Sequence, residues 1–157
     1  MLMQPAVPPM IFAPRRRAAA RRRMALLQQQ ADAPRYIFDD MVEDVRERLA
    51  FLRHEPRNAL VLGDPSGESC RALKTVGTIV TTVGLEEGFD EEQPWPVPKY
   101  DLIVALGTLD TVNDLPGALI HMRAALAPGG LAIAEFAGAG SLPLLRAAMA
   151  AADGDRP

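Results

Sequence analysis

Four short runs of apolar and β-branched residues dominate the chain after residue 58, and each has the length of a strand. Uninterrupted runs of this kind are typical of strands that are buried on both faces. The runs are ALVLG (59–63), GTIVTTV (77–83), YDLIVAL (100–106) and LAIAEFA (131–137). Helical patterns lie between or after them, at Glu68–Thr75, Leu115–Leu126 and Leu142–Ala152. This alternation predicts an α/β fold with a mostly parallel, doubly wound sheet.

The same pattern predicts which strands lie at the centre of the sheet. Ala59–Gly63 and Tyr100–Leu106 are apolar almost throughout, so we expect them side by side at the centre. The stretch Gly84–Lys99 is acidic and proline-rich and is too short for a full crossover, with at most a short strand at Gly88–Glu91. Either one helix is missing there, or the strands on its two sides are not neighbours.

Two helical patterns precede the first strand. The segment 13–32 carries two arginine triplets around three alanines, and Pro34 ends it. The second pattern places Met41, Val42, Val45, Leu49 and Leu52 on one face, with Asp39 or Asp40 as the expected N-cap. We therefore predict a basic arm over residues 1–35 and a single folded domain over 36–157.

Charge is divided unevenly between these two parts. The formal net charge is −3, but residues 1–35 hold seven arginines and one acid, whereas the other 122 residues hold ten basic and nineteen acidic side chains. Such an arm binds an acidic protein partner, packs on its own domain or directs import. One cysteine, Cys70, excludes an internal disulfide, and no apolar run is long enough to span a membrane. These features predict a soluble, cytoplasmic protein with no nucleic-acid partner and no metal site.

Ligands of open α/β sheets bind beyond the carboxyl ends of the strands, which directs attention to the loops there. Gly63 and Gly67 flank the turn from the first strand into a helix, where they allow a close approach of a ligand. Glycines at such a turn also occur for purely conformational reasons. Asp110 follows the third strand, and Asn113 with Asp114 predicts the N-cap of the next helix.

Four segments together resemble class I S-adenosylmethionine-dependent methyltransferases. Within that class they are similar to the group of malonyl-carrier-protein methyltransferases and the mitochondrial complex I assembly factor that modifies an arginine. The segments are IFAPRRRAAARRR (11–23), RNALVLGDPSGES (57–69), YDLIVALGTLDTVNDLPGALIHMRAALAPGG (100–130) and LAIAEFAGAGSLPLLRAAMAAAD (131–153). The resemblance implies a Rossmann-like three-layer fold, and because it extends into the arm, it disfavours an import signal.

The resemblance also implies a cofactor and its site. S-adenosylmethionine is expected across the Gly63–Gly67 turn, with its adenine towards Asp90 and Glu91 and its methionine end towards Leu106 and Gly107. The expected cofactor-binding residues are Gly63, Asp64, Gly67, Glu86, Asp90, Glu91, Leu106 and Gly107. Asp110 is the candidate for orienting the acceptor or accepting its proton.

The chain departs from the family pattern at several positions. Val61 replaces the acid before the first glycine, Pro65 replaces the middle glycine, and Thr81–Thr82 stand where a ribose-binding acid is usual. We therefore expect weak cofactor binding. The pattern also stops after the fifth strand of the family, so we expect either a truncated chain or a partner, such as a second copy, at that sheet edge.

Three functions follow from the resemblance. The first is methyl transfer to an unidentified acceptor, either an acid on a carrier protein or a protein side chain. The alternative is a degenerate or truncated methyltransferase-like protein without catalysis that binds a partner. The third is hydroxylation of a protein arginine. In each case the arginine-rich arm suggests an acidic partner, a carrier protein or a respiratory-complex subunit.

Overall fold

The four apolar runs form one parallel sheet in a computed structural model that describes residues 9–83, 89–95, 99–138 and 140–154. The strands are β1 (Asn58–Leu62), β2 (Ile79–Val83), β3 (Tyr100–Leu106) and β4 (Leu126–Glu135). Their order across the sheet is β2-β1-β3-β4, and all three pairings are parallel. The predicted α/β class is confirmed.

Helices cover both faces of this sheet. The helices of the described chain are α1 (Pro14–Gln28), α2 (Tyr36–Leu52), α3 (Glu68–Thr75), α4 (Leu115–Ala125) and α5 (Pro143–Gly154), with a 3-10 turn at Leu109–Thr111; α2, α3 and α4 contribute buried residues to the two faces. Alternate residues of β1 divide between the two faces. Leu60 and Leu62 pack on the side of α4 and Trp95. Ala59 and Val61 pack on the side of α2 and α3, so the fold has three layers.

The central strands are those expected. β1 and β3 pair over Ala59–Leu62 and Leu102–Ala105, and the side chains of both segments are almost fully buried. β2 and β3 both pair with β1 and not with each other, which explains the short connection after residue 83. The short strand expected at Gly88–Glu91 is wrong for Phe89–Glu91, where Gln93 N donates to the Asp90 carbonyl at 3.1 Å in a turn. Gly88 lies outside the described residues.

Three element boundaries differ from the sequence prediction by about one helical turn or more. Helix α2 begins at Tyr36, with Arg35 as its N-cap, and Asp39 lies inside the first turn. Asp39 is favourable there because its charge complements the positive end of the helix dipole. Helix α1 ends at Gln28, and β4 begins at Leu126. The Pro-Gly-Gly segment is part of β4 because a register shift between Tyr100 and Leu102 accommodates it.

Helix α4 begins at one of the two N-cap residues that the sequence predicts. Asp114 is the N-cap, and its Oδ1 accepts a hydrogen bond from Gly117 N at 2.9 Å. Asn113 has a different task, since its side chain holds the segment before α1.

Strand β4 lies at one edge of the sheet, and α5 follows it with an exposed apolar face. The large apolar side chains exposed on α5 and just before it are Leu142, Leu144, Leu145 and Met149. Across the described part of the chain, no helix combines the length and apolar character that crossing a membrane requires.

Candidate functional site

The carboxyl ends of β1 and β3 meet so closely that Gly63 is required. Gly63 has φ +75°, and a Cβ on it would overlap the Leu106 carbonyl oxygen and the Thr108 side chain. Any larger residue would therefore need both a strained backbone and a shift of β3. Gly107 follows β3 with φ +60°, and its N–H donates to the Glu135 carbonyl at 2.7 Å. The predicted residues Gly63, Leu106 and Gly107 thus lie together at this edge.

The loop after Gly63 uses its own acid to cap the next helix. Asp64 Oδ1 accepts from Gly67 N at 2.9 Å, and Asp64 Oδ2 accepts from Cys70 N at 3.0 Å. The Ser66 hydroxyl donates to Asp64 Oδ1 and accepts from Glu68 N at 3.3 Å. Several donors at the start of α3 therefore already have acceptors within the chain. Gly67 has φ +74° and open space where its Cβ would be.

Glu91 lies buried between two arginines of α1. It is 1% exposed, and its Oε2 is 2.9 Å from Arg17 Nη2. Its Oε1 pairs with Arg21 Nη2. Arg17 and Arg21 are one helical turn apart, so both reach the same carboxylate. A buried carboxylate needs such partners, because an unpaired charge in this position is strongly unfavourable.

Further polar contacts fix the arm across the same edge. Arg21 Nη2 donates to the Thr108 carbonyl at 3.1 Å, which joins the arm to the segment after β3. Arg17 Nη1 lies 3.5 Å from Glu92 Oε1, and that oxygen also accepts from Asn113 N at 2.7 Å. Asn113 Oδ1 in turn accepts from the backbone N–H groups of the residues just before α1. The arm is therefore attached mainly by charge and hydrogen bonds, since Gln28 is the one fully buried residue of α1.

The arm resolves an alternative that the sequence left open. Of its helical arginines, Arg17 and Arg21 pack on the body of the protein and are mostly buried. Arg15, Arg16, Arg22 and Arg23 are exposed, with no ion pair to another described residue. Sequence reasoning treated all six alike. The signal that separates them is the four-residue spacing of Arg17 and Arg21, which places both on one face.

The remaining predicted site residues are less closely grouped. Asp90 is exposed and its Oδ1 accepts from Glu92 N at 3.1 Å. Asp110 is exposed in the 3-10 turn after β3. Glu86 lies outside the described residues.

Glu135 at the end of β4 is a titratable group that the sequence analysis missed. Burial, and after it the neighbouring Asp44 carboxyl, together raise the pKa of Glu135 from 4.5 to about 7. The Arg48 guanidinium meanwhile holds the pKa of Asp44 below its usual value. The pair thus holds one negative charge on Asp44 and a proton on Glu135 near pH 6. Glu135 and Asp44 line a groove of about 740 Å³ along the β4 edge.

The residues at the carboxyl edge fit S-adenosylmethionine poorly in this conformation. The carboxylates of Asp64 and Glu91, both expected to contact the cofactor, are taken up by the chain's own donors. Pro65 offers no N–H, and Val61 is buried among apolar side chains on the α2 side of the sheet. Two features favour a ligand: the open space at Gly67 and the buried Thr108 Oγ1, which has no hydrogen-bond partner among the described residues.

Comparison with known proteins places this arrangement in context. A family model described as a methyltransferase domain matches residues 22–153. The chain is also 31% identical over 105 residues to the mitochondrial arginine-hydroxylase NDUFAF5 of Danio rerio, an alignment that covers 67% of this chain and 32% of that protein. The chain thus aligns with about a third of the length of that relative. No solved structure gives a match.

Replacement of Glu91 by Gln is expected to release the arm. Arg17 and Arg21 would lose their shared countercharge, which lowers the docking free energy by roughly 2–3 kcal/mol, below the value for fully buried pairs because both arginines keep some exposure. Trypsin should then cleave within α1 at least tenfold faster, while the sheet keeps its circular dichroism. Glu47→Gln, at an exposed acid on α2, is the control. Equal cleavage of both variants would contradict the assigned role of Glu91.

The pKa of Glu135 predicts a specific dependence of stability on pH. Because its pKa is higher in the folded state, the folded protein binds this proton more tightly. The resulting stabilisation is complete below pH 4.5 and disappears as the pH rises through about 7. Glu135→Gln mimics the protonated acid, so the fall in stability between pH 5 and pH 8 should shrink, by on the order of 1 kcal/mol after solvent screening. Urea denaturation at both pH values measures this, and Asp110→Asn is the control; an unchanged slope in Glu135→Gln refutes the assignment.

Proposed function

The chain belongs to the methyltransferase-domain family, and on that premise we propose that it acts as a partner-binding protein whose basic arm recognises an acidic protein. In this proposal the chain divides into a basic arm, residues 1–35, and a methyltransferase-like domain, residues 36–157, and the arm is docked on that domain through its helix α1. The partner class suggested by the sequence is a carrier protein or a respiratory-complex subunit. Catalysis is not required for this role.

The observation that carries the proposal is that the arginines of α1 fall into two groups, one that contacts the body of the protein and one that is exposed. Arg17 and Arg21 fix the helix to the body through Glu91. The other four present their guanidinium groups to solvent from a helix that is already positioned. A fixed cationic surface binds with less loss of conformational entropy than a mobile arm does, because its side chains are held on an ordered backbone. Its charge also accelerates encounter with an acidic surface.

The environment of the family's cofactor residues supports binding over methyl transfer. Asp64 is committed to the α3 cap and Glu91 to the arm, so neither carboxylate is available to a ligand in this conformation.

The arm proposal is tested by removal of the exposed charges alone. The variant Arg15→Gln, Arg16→Gln, Arg22→Gln, Arg23→Gln should bind an acidic acyl carrier protein about 30-fold more weakly, since four exposed pairs contribute roughly 0.5 kcal/mol each. Wild-type affinity should fall steeply with added salt. The control removes four exposed charges elsewhere, at Arg48, Arg71, Lys74 and Arg123. No wild-type binding at low salt, or equal losses in both variants, contradicts the proposal.

A second candidate is an enzyme that uses S-adenosylmethionine, either a methyltransferase or an arginine hydroxylase. It is supported by the open space at Gly67 and the unpartnered Thr108 hydroxyl. The name of the Danio rerio relative favours the hydroxylase. In this case Gly63, Gly67, Glu86 and Asp90 would take up the cofactor only after the arm frees Glu91, and Asp110 would face the acceptor.

Cofactor binding is tested by calorimetric titration with S-adenosylhomocysteine. Wild type should bind weakly, at a Kd near 1 mM or above, and Arg17→Gln with Arg21→Gln should bind several-fold more tightly because Glu91 becomes available. Pro65→Gly should add affinity by restoring a backbone donor. Val61→Asp is unsuitable because that side chain is buried and its charge would be unpaired. Micromolar wild-type binding would favour the enzyme, and no binding by any variant would exclude this cofactor.

The cellular compartment stays a prediction. The sequence predicts the cytoplasm, whereas the relative from Danio rerio is named as mitochondrial.

A further inference from the structure

Helices α2 and α3 enclose an apolar groove of about 690 Å³ on the face of the sheet away from α4. Val42, Val45 and Leu73 form part of its wall, and all three are buried. The volume lies within the range of small-molecule sites. None of the predicted cofactor residues lines this groove, so it is separate from the carboxyl-edge site.

Hydrogen bonds between the helix ends and the sheet show where the two ends of the groove lie. His54 Nε2 lies 2.9 Å from the Asp101 carbonyl, and Thr78 Oγ1 donates to the Pro56 carbonyl at 2.8 Å. The end of α2 and the end of α3 therefore both lie at the amino ends of the strands. Ser69, near the start of α3, lies towards the opposite edge. Val76, the C-cap of α3, lies seven positions after Ser69, so the groove extends about 10 Å along this helix.

The groove has a cation, Arg53, at the end that lies near the amino ends of the strands. Arg53 is exposed and follows α2 in a left-handed conformation with φ +50°. Its backbone N–H donates to the Ala50 carbonyl at 3.1 Å, but its guanidinium makes no hydrogen bond or ion pair with the described residues. Arg46, also on the groove, is paired with Glu43 at 2.8 Å. Glu55 is the one acid that lines this groove, and its side chain is exposed. Among the described residues that line the groove, the guanidinium of Arg53 is therefore without a partner.

A hydroxyl without a partner lies at the other end. Ser69 is 3% exposed, and its Oγ has no hydrogen-bond partner among the described residues. A buried hydroxyl in this state costs free energy that a ligand oxygen recovers. Together, the apolar wall, the cation and the hydroxyl suit one chemical class of ligand.

We propose that this groove binds a single-chain carboxylate with an apolar body about 10 Å long and a hydrogen-bonding oxygen at its far end. The carboxylate pairs with Arg53, the chain packs on Val42, Val45 and Leu73, and the distal oxygen bonds to Ser69. The groove along β4 does not suit such an anion, because Asp44, Glu47 and Glu135 line it against one arginine, Arg48. The proposal is independent of the arm and of the cofactor.

The test is calorimetric titration of the full chain with 10-hydroxydecanoate, decanoate and decanol. We expect saturable binding of 10-hydroxydecanoate below millimolar Kd, with decanoate several-fold weaker and decanol about tenfold weaker. Arg53→Gly should weaken both carboxylates by about five- to tenfold and leave decanol unchanged. This variant is expected to fold, because glycine is the preferred residue in a left-handed helix end. Arg48→Gln, on the same helix but on the other groove, is the control.

Ser69→Ala tests the distal end, and it removes only an unpartnered hydroxyl, so folding is retained. It should abolish the advantage of 10-hydroxydecanoate over decanoate and leave decanoate itself unchanged. The proposal is overturned if 10-hydroxydecanoate shows no saturable heat up to 5 mM. It is also overturned if Arg48→Gln weakens binding as much as Arg53→Gly does, or if Ser69→Ala lowers the affinity for both acids equally.

Discussion

The buried carboxylate of Glu91 connects the two parts of the molecule. It lies at the edge where the strands end, and two arginines from the arm supply its countercharge. Without those arginines the carboxylate would need water or a ligand, and without Glu91 the arm would keep little apolar contact with the body. This ion pair decides both where α1 lies and which groups a ligand meets at the carboxyl edge.

The loop after β1 is also held by contacts within the chain. Asp64 is bound to the backbone at the start of α3, and Gly63 is required by the closeness of β3. Two residues of the family's glycine loop therefore have complete structural explanations within this chain. Membership of the methyltransferase-domain family accounts for the architecture, and the contacts of these residues within the chain are the basis of the partner-binding proposal.

The sequence predicted the sheet well because the strands are encoded locally. β1 and β3 are apolar except at Asn58 and Asp101, and strands buried on both faces leave few other interpretations. The site was harder to predict because it depends on contacts between distant parts of the chain. Glu91 and Arg17 are 74 positions apart, and nothing local marks them as partners. The raised pKa of Glu135 likewise depends on burial and on Asp44, which lies on a different element.

The most direct test of this account is amide hydrogen exchange of α1. Its amides are protected only while the helix is docked, because an isolated helix of 15 residues is marginal in water. We predict strong protection in the wild type at low salt, lost in Arg17→Gln with Arg21→Gln while β1 and β3 stay protected. Rapid exchange of α1 in the wild type, or full protection in that variant, would contradict the claim that Glu91 holds the arm in place.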